Sequence, residues 1–564
     1  MKKAFMDKTT LRLSILCAVM IGALATASHA ADKLGSIDFE NSGSAEAQEP
    51  FIQGLAALHS FWYQEAIDLF REAQRRDPDF AMAYWGEAMA HTRPLWGFQD
   101  LAAGQAVLRR LGPTAEARAA KAPTRRERDY LQLVEHLYRD GGDQTQRFLV
   151  FSQATEWLAG RYPEDVDAVA FHTLTQQLIS RPGIWQRKQR IQSVARLEEL
   201  FDAYPDHPGV LHYMIHGYDE PILAPLGLRA ALRYAEVAPA APHALHMPSH
   251  IFVQLGMWDR AVASNEDAWQ ASVEWAERKQ LSPMHRDFHS LSWLAYAYLQ
   301  QGRYGDARRT LQILGDTLAD KTLEPVHGSS HGCAPTPGSG HGSGSGDHQM
   351  GPEQNYHEML ARYFLESRLW RSAPSGQRLF DLDVAGTNAT LVLAVGIGAV
   401  EMNDLERARR VAELLGRLRQ QQESQGNREL AARAAVMERE VQGLLALKQG
   451  RRDEAVKLLA EASEIEFSLP PPSGPPHPAK PAQELFGEVL LALGSPADAV
   501  RQFEGALVRT PGRALSLLGA ARGARALGDQ ATASLYYGQL LEAWANADAN
   551  VDGLQEAKDY VAGR

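Results

Sequence analysis

GVLHYMIHGYDEPILAPLGLRAALRYAEVAPAAPHALHMPSHIFV, residues 209–253, carries two histidine pairs of one form, His212 with His216 and His246 with His250. Members of each pair stand four residues apart, so on a helix both imidazoles project from one face. The second pair follows the first by 34 residues, the length of a helix–turn–helix repeat that stacks on its neighbours. That spacing predicts equivalent positions on adjacent units. Four imidazoles would then line one wall.

The same period extends in both directions. A stacked 34-residue repeat needs small residues where its two helices cross, a bulky one beside them and a proline where the second helix stops. Gly54, Ala66, Phe70, Ala73 and Pro78 meet that need, and the next unit opens near Ala81. Pro94 to Pro123 interrupts the register, and Thr124 to Pro163 is helical in pattern but a poor match. The register returns at Pro208 and Pro242, with Gly256, Trp258, Ala261 and Ala268 filling one unit and Gly302, Tyr304 and Ala307 the next. Further on, Gly494, Ala499, Phe503, Ala506 and Pro511 are followed by Gly528, Ala533 and Tyr537. Gly450 and Ala455 belong to the unit before, displaced by the insert PPPSGPPHPAKP at 470–481. The insert reads as a surface loop, with a polyproline ligand as the alternative. Almost nothing in the chain suggests strand, so the expected fold is an all-α solenoid.

Lys2, Lys3, Lys8 and Arg12 precede an apolar run from Leu13 to Ala27 and the exit Ser28-His29-Ala30. This is the pattern of a secretory signal peptide, residues 1–30, cut near Ala30. It predicts a periplasmic or secreted protein, and no later run is long enough to span a membrane. Without it the formal charge moves from -11 to -14, which argues against nucleic acid as a partner. Cys17 leaves with the signal and Cys333 remains alone, so no internal disulfide forms. The rest divides into a first array at 31–326, a His/Gly/Ser-rich linker at 327–352 with almost no core-forming residue, and a second array at 353–564.

HYMIHGYDEP, APLGLRAALRYAEVAPAAPHALHMPSHIF, LGMWDRAVASNEDAW and DFHSLSWLAYAYLQQGRYGDA, with FWYQEAIDLFREAQRRDPDFAMAYWGEAMA upstream, resemble a group of exported bacterial tetratricopeptide-repeat proteins with an HMPSHIF-type histidine motif. The likeness covers roughly residues 50–310. It implies the fold and export but no activity. In such repeats, positions 2, 5, 9 and 12 of the first helix commonly face a concave groove where a protein or peptide binds. The register gives those positions to His212, His216, His246, His250, His243 and Asp219, with His289 at position 2 of the following unit.

Neutral imidazole is the commonest transition-metal ligand and suits zinc or copper. These seven residues are therefore the candidate metal set, with Asp219 or Glu220 either ligating or accepting the second N–H of a histidine. Repeat duplication copies histidines together with core residues, so structural or peptide-binding histidines are the competing account. Pro248 leaves the second pair open. Either the helix runs through it, or it starts there and leaves His243 and His246 on the preceding turn. His91 beside Glu87 reads as a core histidine, and His59 and His172 have no clear groove position. His327, His331, His341 and His348, with Cys333 and Met350, form a loose set in the linker. Phe61-Trp62-Tyr63 and Tyr84-Trp85 read as core.

The chain has no GxxxxGK[ST], HExxH, CxxC or strand-nested GxSxG, so common nucleotide, zinc-protease, redox and hydrolase signatures are absent. The expected function is a groove-binding solenoid with a histidine-rich transition-metal site, in metal handling. A pure interaction scaffold is the alternative. A metal-dependent hydrolase or oxidase comes third, because it needs an open coordination position and a base.

Overall fold

A computed structural model describes residues 33–178, 184–323, 351–371 and 388–563. The segment 1–30 and the linker histidines lie outside the described residues. Among the described residues helices follow one another, most of them packed on their sequence neighbours, and the chain is an all-α solenoid. The described exception is a ribbon in which Thr92–Arg93 pairs with Phe98–Gln99 around a short 3-10 turn. No helix among the described residues is long and apolar enough to cross a membrane.

Small residues allow the close crossings. The Phe70 ring fills the space beside Gly54 and Gly86, where an added Cβ would come within 3.0 and 2.3 Å of it. Phe503 stands between Gly487 and Gly519 with the same spacing in sequence, at 2.9 and 2.3 Å. The hairpin turns repeat as well. Gly256, Gly302, Gly450, Gly494 and Gly528 have positive φ, and each lies five residues before a fully buried alanine, Ala261, Ala307, Ala455, Ala499 or Ala533. A left-handed residue reverses the chain after the first helix, and the alanine lets the second approach.

The stack curls back on itself. Trp258 Nε1–H donates to the Gly512 carbonyl at 2.8 Å, Asp548 N–H to the Gly302 carbonyl at 3.0 Å, and Ala514 N–H to Gln300 Oε1 at 3.0 Å. A Cβ on Gly256 would lie 3.0 Å from the Gly512 backbone, so this approach requires glycine. Behind the seam, the fully buried Arg513 makes two hydrogen bonds to Glu484, at 2.7 and 2.9 Å, and an ion pair with Glu366 at 2.6 Å. Lys480 joins Glu484 at 2.8 Å.

The insert at 470–481 is not a surface loop. Gly474 to Pro476 and Pro478 to Pro481 are buried, and a Cβ on Gly474 would meet the Trp293 ring at 2.4 Å. Its prolines bring no N–H that needs a partner, so at those positions only carbonyls must be satisfied. Gln254 donates to the Pro472 carbonyl at 2.7 Å, Arg362 to that of Pro476 at 2.9 Å, and Arg433 to that of His477. Arg509 serves Leu469 and Pro470, each at 3.1 Å.

Gly519→Ala should destabilise the protein by about 1–3 kcal/mol through overpacking against Phe503. Gly538→Ala should stabilise it by up to about 1 kcal/mol, since nothing lies within 4 Å of that position. Urea unfolding of the two variants checks both signs.

Candidate metal centre

The helix Pro208–Tyr218 starts with proline behind the cap His207, whose ring accepts the Val210 N–H at 3.3 Å. One turn of that helix separates His212 from His216 and brings their Nε2 atoms to 3.1 Å. The second pair lies on Pro242–His246 and Pro248–Gln254. Pro248 does begin a new helix, but Met247 stays right-handed helical at φ -53 and ψ -36, and His250 N–H reaches the Met247 carbonyl at 3.1 Å. The axis therefore continues. His246 and His250 meet at 3.1 Å between Nε2 atoms, like the first pair.

Tertiary packing divides the imidazoles into two sets of three. His243 joins the first pair, with its Nε2 3.2 Å from that of His212. His289, from the helix Phe288–Gln300, joins the second, its ring centroid 4.7 Å from that of His246. Within each set the ligand atoms lie within 4.8 Å of one another. The sets adjoin, with centroids 6.0 Å apart for His243 and His246 and 6.1 Å for His216 and His250. A wall of four equivalent rings is thus replaced by two neighbouring triads.

The outer nitrogens determine what the inner ones present. His212 Nδ1–H donates to the His59 carbonyl at 2.6 Å, and His250 Nδ1–H to Asp219 Oδ2 at 2.7 Å. His246 Nδ1–H donates to Asn265 Oδ1 at 2.6 Å. Asn265 is oriented by its own amide N–H, given to the Ala261 carbonyl at 2.7 Å. Assigned from these acceptors, each neutral ring carries its proton on Nδ1 and a lone pair on Nε2. Two such lone pairs face each other 3.1 Å apart in His246 and His250. Donors 3.1–3.2 Å apart subtend roughly 100° at an ion about 2.0–2.1 Å from each. That is near a tetrahedral angle.

Burial keeps two of these rings, His212 and His246, neutral. His212 and His246 are fully buried. Burial first of all pulls His212 down to about 3, against the hydrogen bond to His59. Burial, with His250 adding to it, brings His246 to about 4. Aromatic walls supply that environment: Trp293 lies 4.3 Å from His250 and Phe61 4.3 Å from His212, centroid to centroid. Phe61 occupies the left-handed turn position taken by glycine in the hairpins above, at φ 53, a conformation costing roughly 1–2 kcal/mol for a side chain that is not glycine. Its ring also touches His216 and His243.

Asp219 stands behind His250, not among the imidazoles, and its second oxygen takes Gln254 at 3.3 Å. Glu220 is held by Arg187 at 2.8 and 3.0 Å. The sequence pattern missed a third buried group, His59, Asp167 and His207. There the protons are accounted for. His59 and His207 donate Nε2–H to Asp167 Oδ1 at 2.8 and 3.3 Å, and Tyr213 O–H donates to His59 Nδ1 at 3.1 Å. This group is a hydrogen-bonded bolt that fixes the carbonyl orienting His212, and only the helix-start pattern at His207-Pro208 hints at it in the sequence. His91 is only partly buried, 4.0 Å from Glu87. Burial would raise Glu87, but His91, Gln74 and the arginines Arg71 and Arg110 bring it to about 2. His172 joins none of the three groups.

No protein-family model matches the chain, and no curated protein matches it. Among solved structures it is similar to the APC/C hetero-tetramer Cut9-Hcn1, at 9% identity and a TM-score of 0.30, over 94% of this chain and 78% of that one. It is also similar to yeast Tom70, at 10% and 0.27, over 92% and 88%. A third is the human IFIT1 dimer with m7Gppp-AAAA, at 11% and 0.35, over 90% and 92%. Likenesses this loose transfer neither partner nor activity.

The low pKa values of His212 and His246 set a direction for stability. Unfolded imidazoles take a proton near the ordinary 6.5, whereas the buried ones resist it until about 4 and about 3. Metal-free protein should therefore keep full stability above pH 6.5 and lose on the order of a few kcal/mol as pH falls from 6.5 towards 4. Thermal unfolding across that range, in chelator, measures it.

Proposed function

We propose that this chain is an exported solenoid protein that holds a transition metal, zinc or copper, in its histidine array, and that it works in metal handling. The observation that carries the reading is the pair His246 and His250. Both Nδ1 protons are donated outward, so both inner lone pairs converge at 3.1 Å, an arrangement that a cation between them stabilises. The first set supports it, because the single lone pair of His212 is approached by two other imidazole nitrogens at 3.1 and 3.2 Å. Export rests on the pattern of residues 1–30.

A protein or peptide partner in the concave groove belongs to the same reading, and the partly exposed His216 and His243 are the rings it would reach. Metal holding is favoured over metal-dependent hydrolysis because the nearby carboxylates Asp219 and Glu220 are engaged by His250 and Arg187. Full burial of His212, His246 and His250 supports a second reading, an interaction scaffold with structural histidines.

Elemental analysis separates the two readings. Protein purified from its exporting host without a histidine tag should carry zinc or copper. A variant with His212, His216, His246 and His250 changed to alanine should carry neither. Equal metal in both preparations would leave only the scaffold. N-terminal sequencing of the same material should begin at Ala31; a chain starting at Met1 contradicts export.

A further inference from the structure

Resting on that metal reading, we propose that the centre takes two ions, one in each three-histidine set, with a small anion of hydroxide or azide size between them. Each set gathers three imidazole nitrogens within 4.8 Å of one another. Three donors leave one position open in a four-coordinate ion. His243 beside His246 and His216 beside His250, at centroid separations of 6.0 and 6.1 Å, make the two sets neighbours, and we assign both open positions to the space between them.

Charge supplies the second, independent reason. Six imidazoles bring no negative charge to offset two divalent ions, and an uncompensated buried charge is costly. The carboxylates nearest the sets are already engaged. Asp219 binds His250 and Gln254. Asp287 caps the helix of His289 by accepting both the N–H and the hydroxyl of Ser290. Neither is placed to bridge, so the bridging anion comes from solution. The walls limit its size: Phe61 closes on the first set and Trp293 on the second, and Gly474 packs against Trp293 from outside. These rings crowd the imidazoles at 4.3 Å, which favours a single atom or a linear triatomic anion.

The test uses untagged full-length protein stripped of metal and titrated with Cu(II), with copper content and EPR intensity measured on one sample. The proposal expects about two ions per chain and an EPR signal far weaker than the copper content, because a bridging anion couples the two spins. Azide should add a charge-transfer absorption that saturates at one azide per two coppers. His243→Ala and His289→Ala should each retain one copper with its full EPR signal. Circular dichroism verifies that both variants fold, and the wild-type measurement stands without them.

One copper per chain, lost in either variant, would overturn the two-ion centre and leave the metal reading standing. Two coppers with full EPR intensity and no azide response would remove the bridging anion. No bound copper or zinc at all would end both.

Discussion

His250 donates its Nδ1–H to Asp219 at 2.7 Å, and the rest of the centre is arranged around that bond. It fixes the tautomer and the plane of the ring, so the opposite nitrogen must face inward. Asn265 and the His59 carbonyl do the same for His246 and His212. Three acceptors of different kinds, on three different elements, thus orient three rings inward, one in the first set and two in the second. Such agreement is costly to keep by chance in a core where an apolar side chain would pack without partners.

The same bond reaches into the distant half of the chain. Asp219 also accepts from Gln254, and Gln254 donates to the Pro472 carbonyl of the proline-rich insert. Trp293 completes the connection, with His250 on one face and Gly474 against its ring edge. The insert is held in turn by Arg362, Arg433 and Arg509, and it ends at Lys480 beside the Glu484 and Arg513 network. Displacing the insert would uncover Trp293 and leave buried carbonyls and guanidinium groups without each other. Closure of the curled stack and the shape of the histidine centre are therefore one problem in packing.

Phe61 shows where local preference gives way to this centre. Ala66 follows it at the interval seen after Gly256, Gly302 and Gly450, so glycine is the residue the turn itself favours. A phenylalanine there accepts backbone strain, and its ring covers His212, His216 and His243. The left-handed turn aims the ring, and burial against it helps to hold His212 uncharged.

Sequence alone determined the repeat and the two histidine pairs, because both depend on local geometry. Four residues make about one helical turn whatever surrounds it, so His212 meets His216 and His246 meets His250 at the same 3.1 Å. Glycine, alanine and phenylalanine at fixed intervals announce crossings that only small residues allow. Tertiary structure decided which third ring completes each pair. His243 precedes His246 by three residues, yet it turns to His212, and His289 reaches the other set from a separate helix. It also settled which of its two expected roles Asp219 takes, accepting the second N–H of His250, and drew a proline-rich stretch inside by giving its carbonyls arginine donors. Those outcomes depend on how far helices travel and where they cross, and contacts between residues hundreds of positions apart leave no periodic mark on the chain.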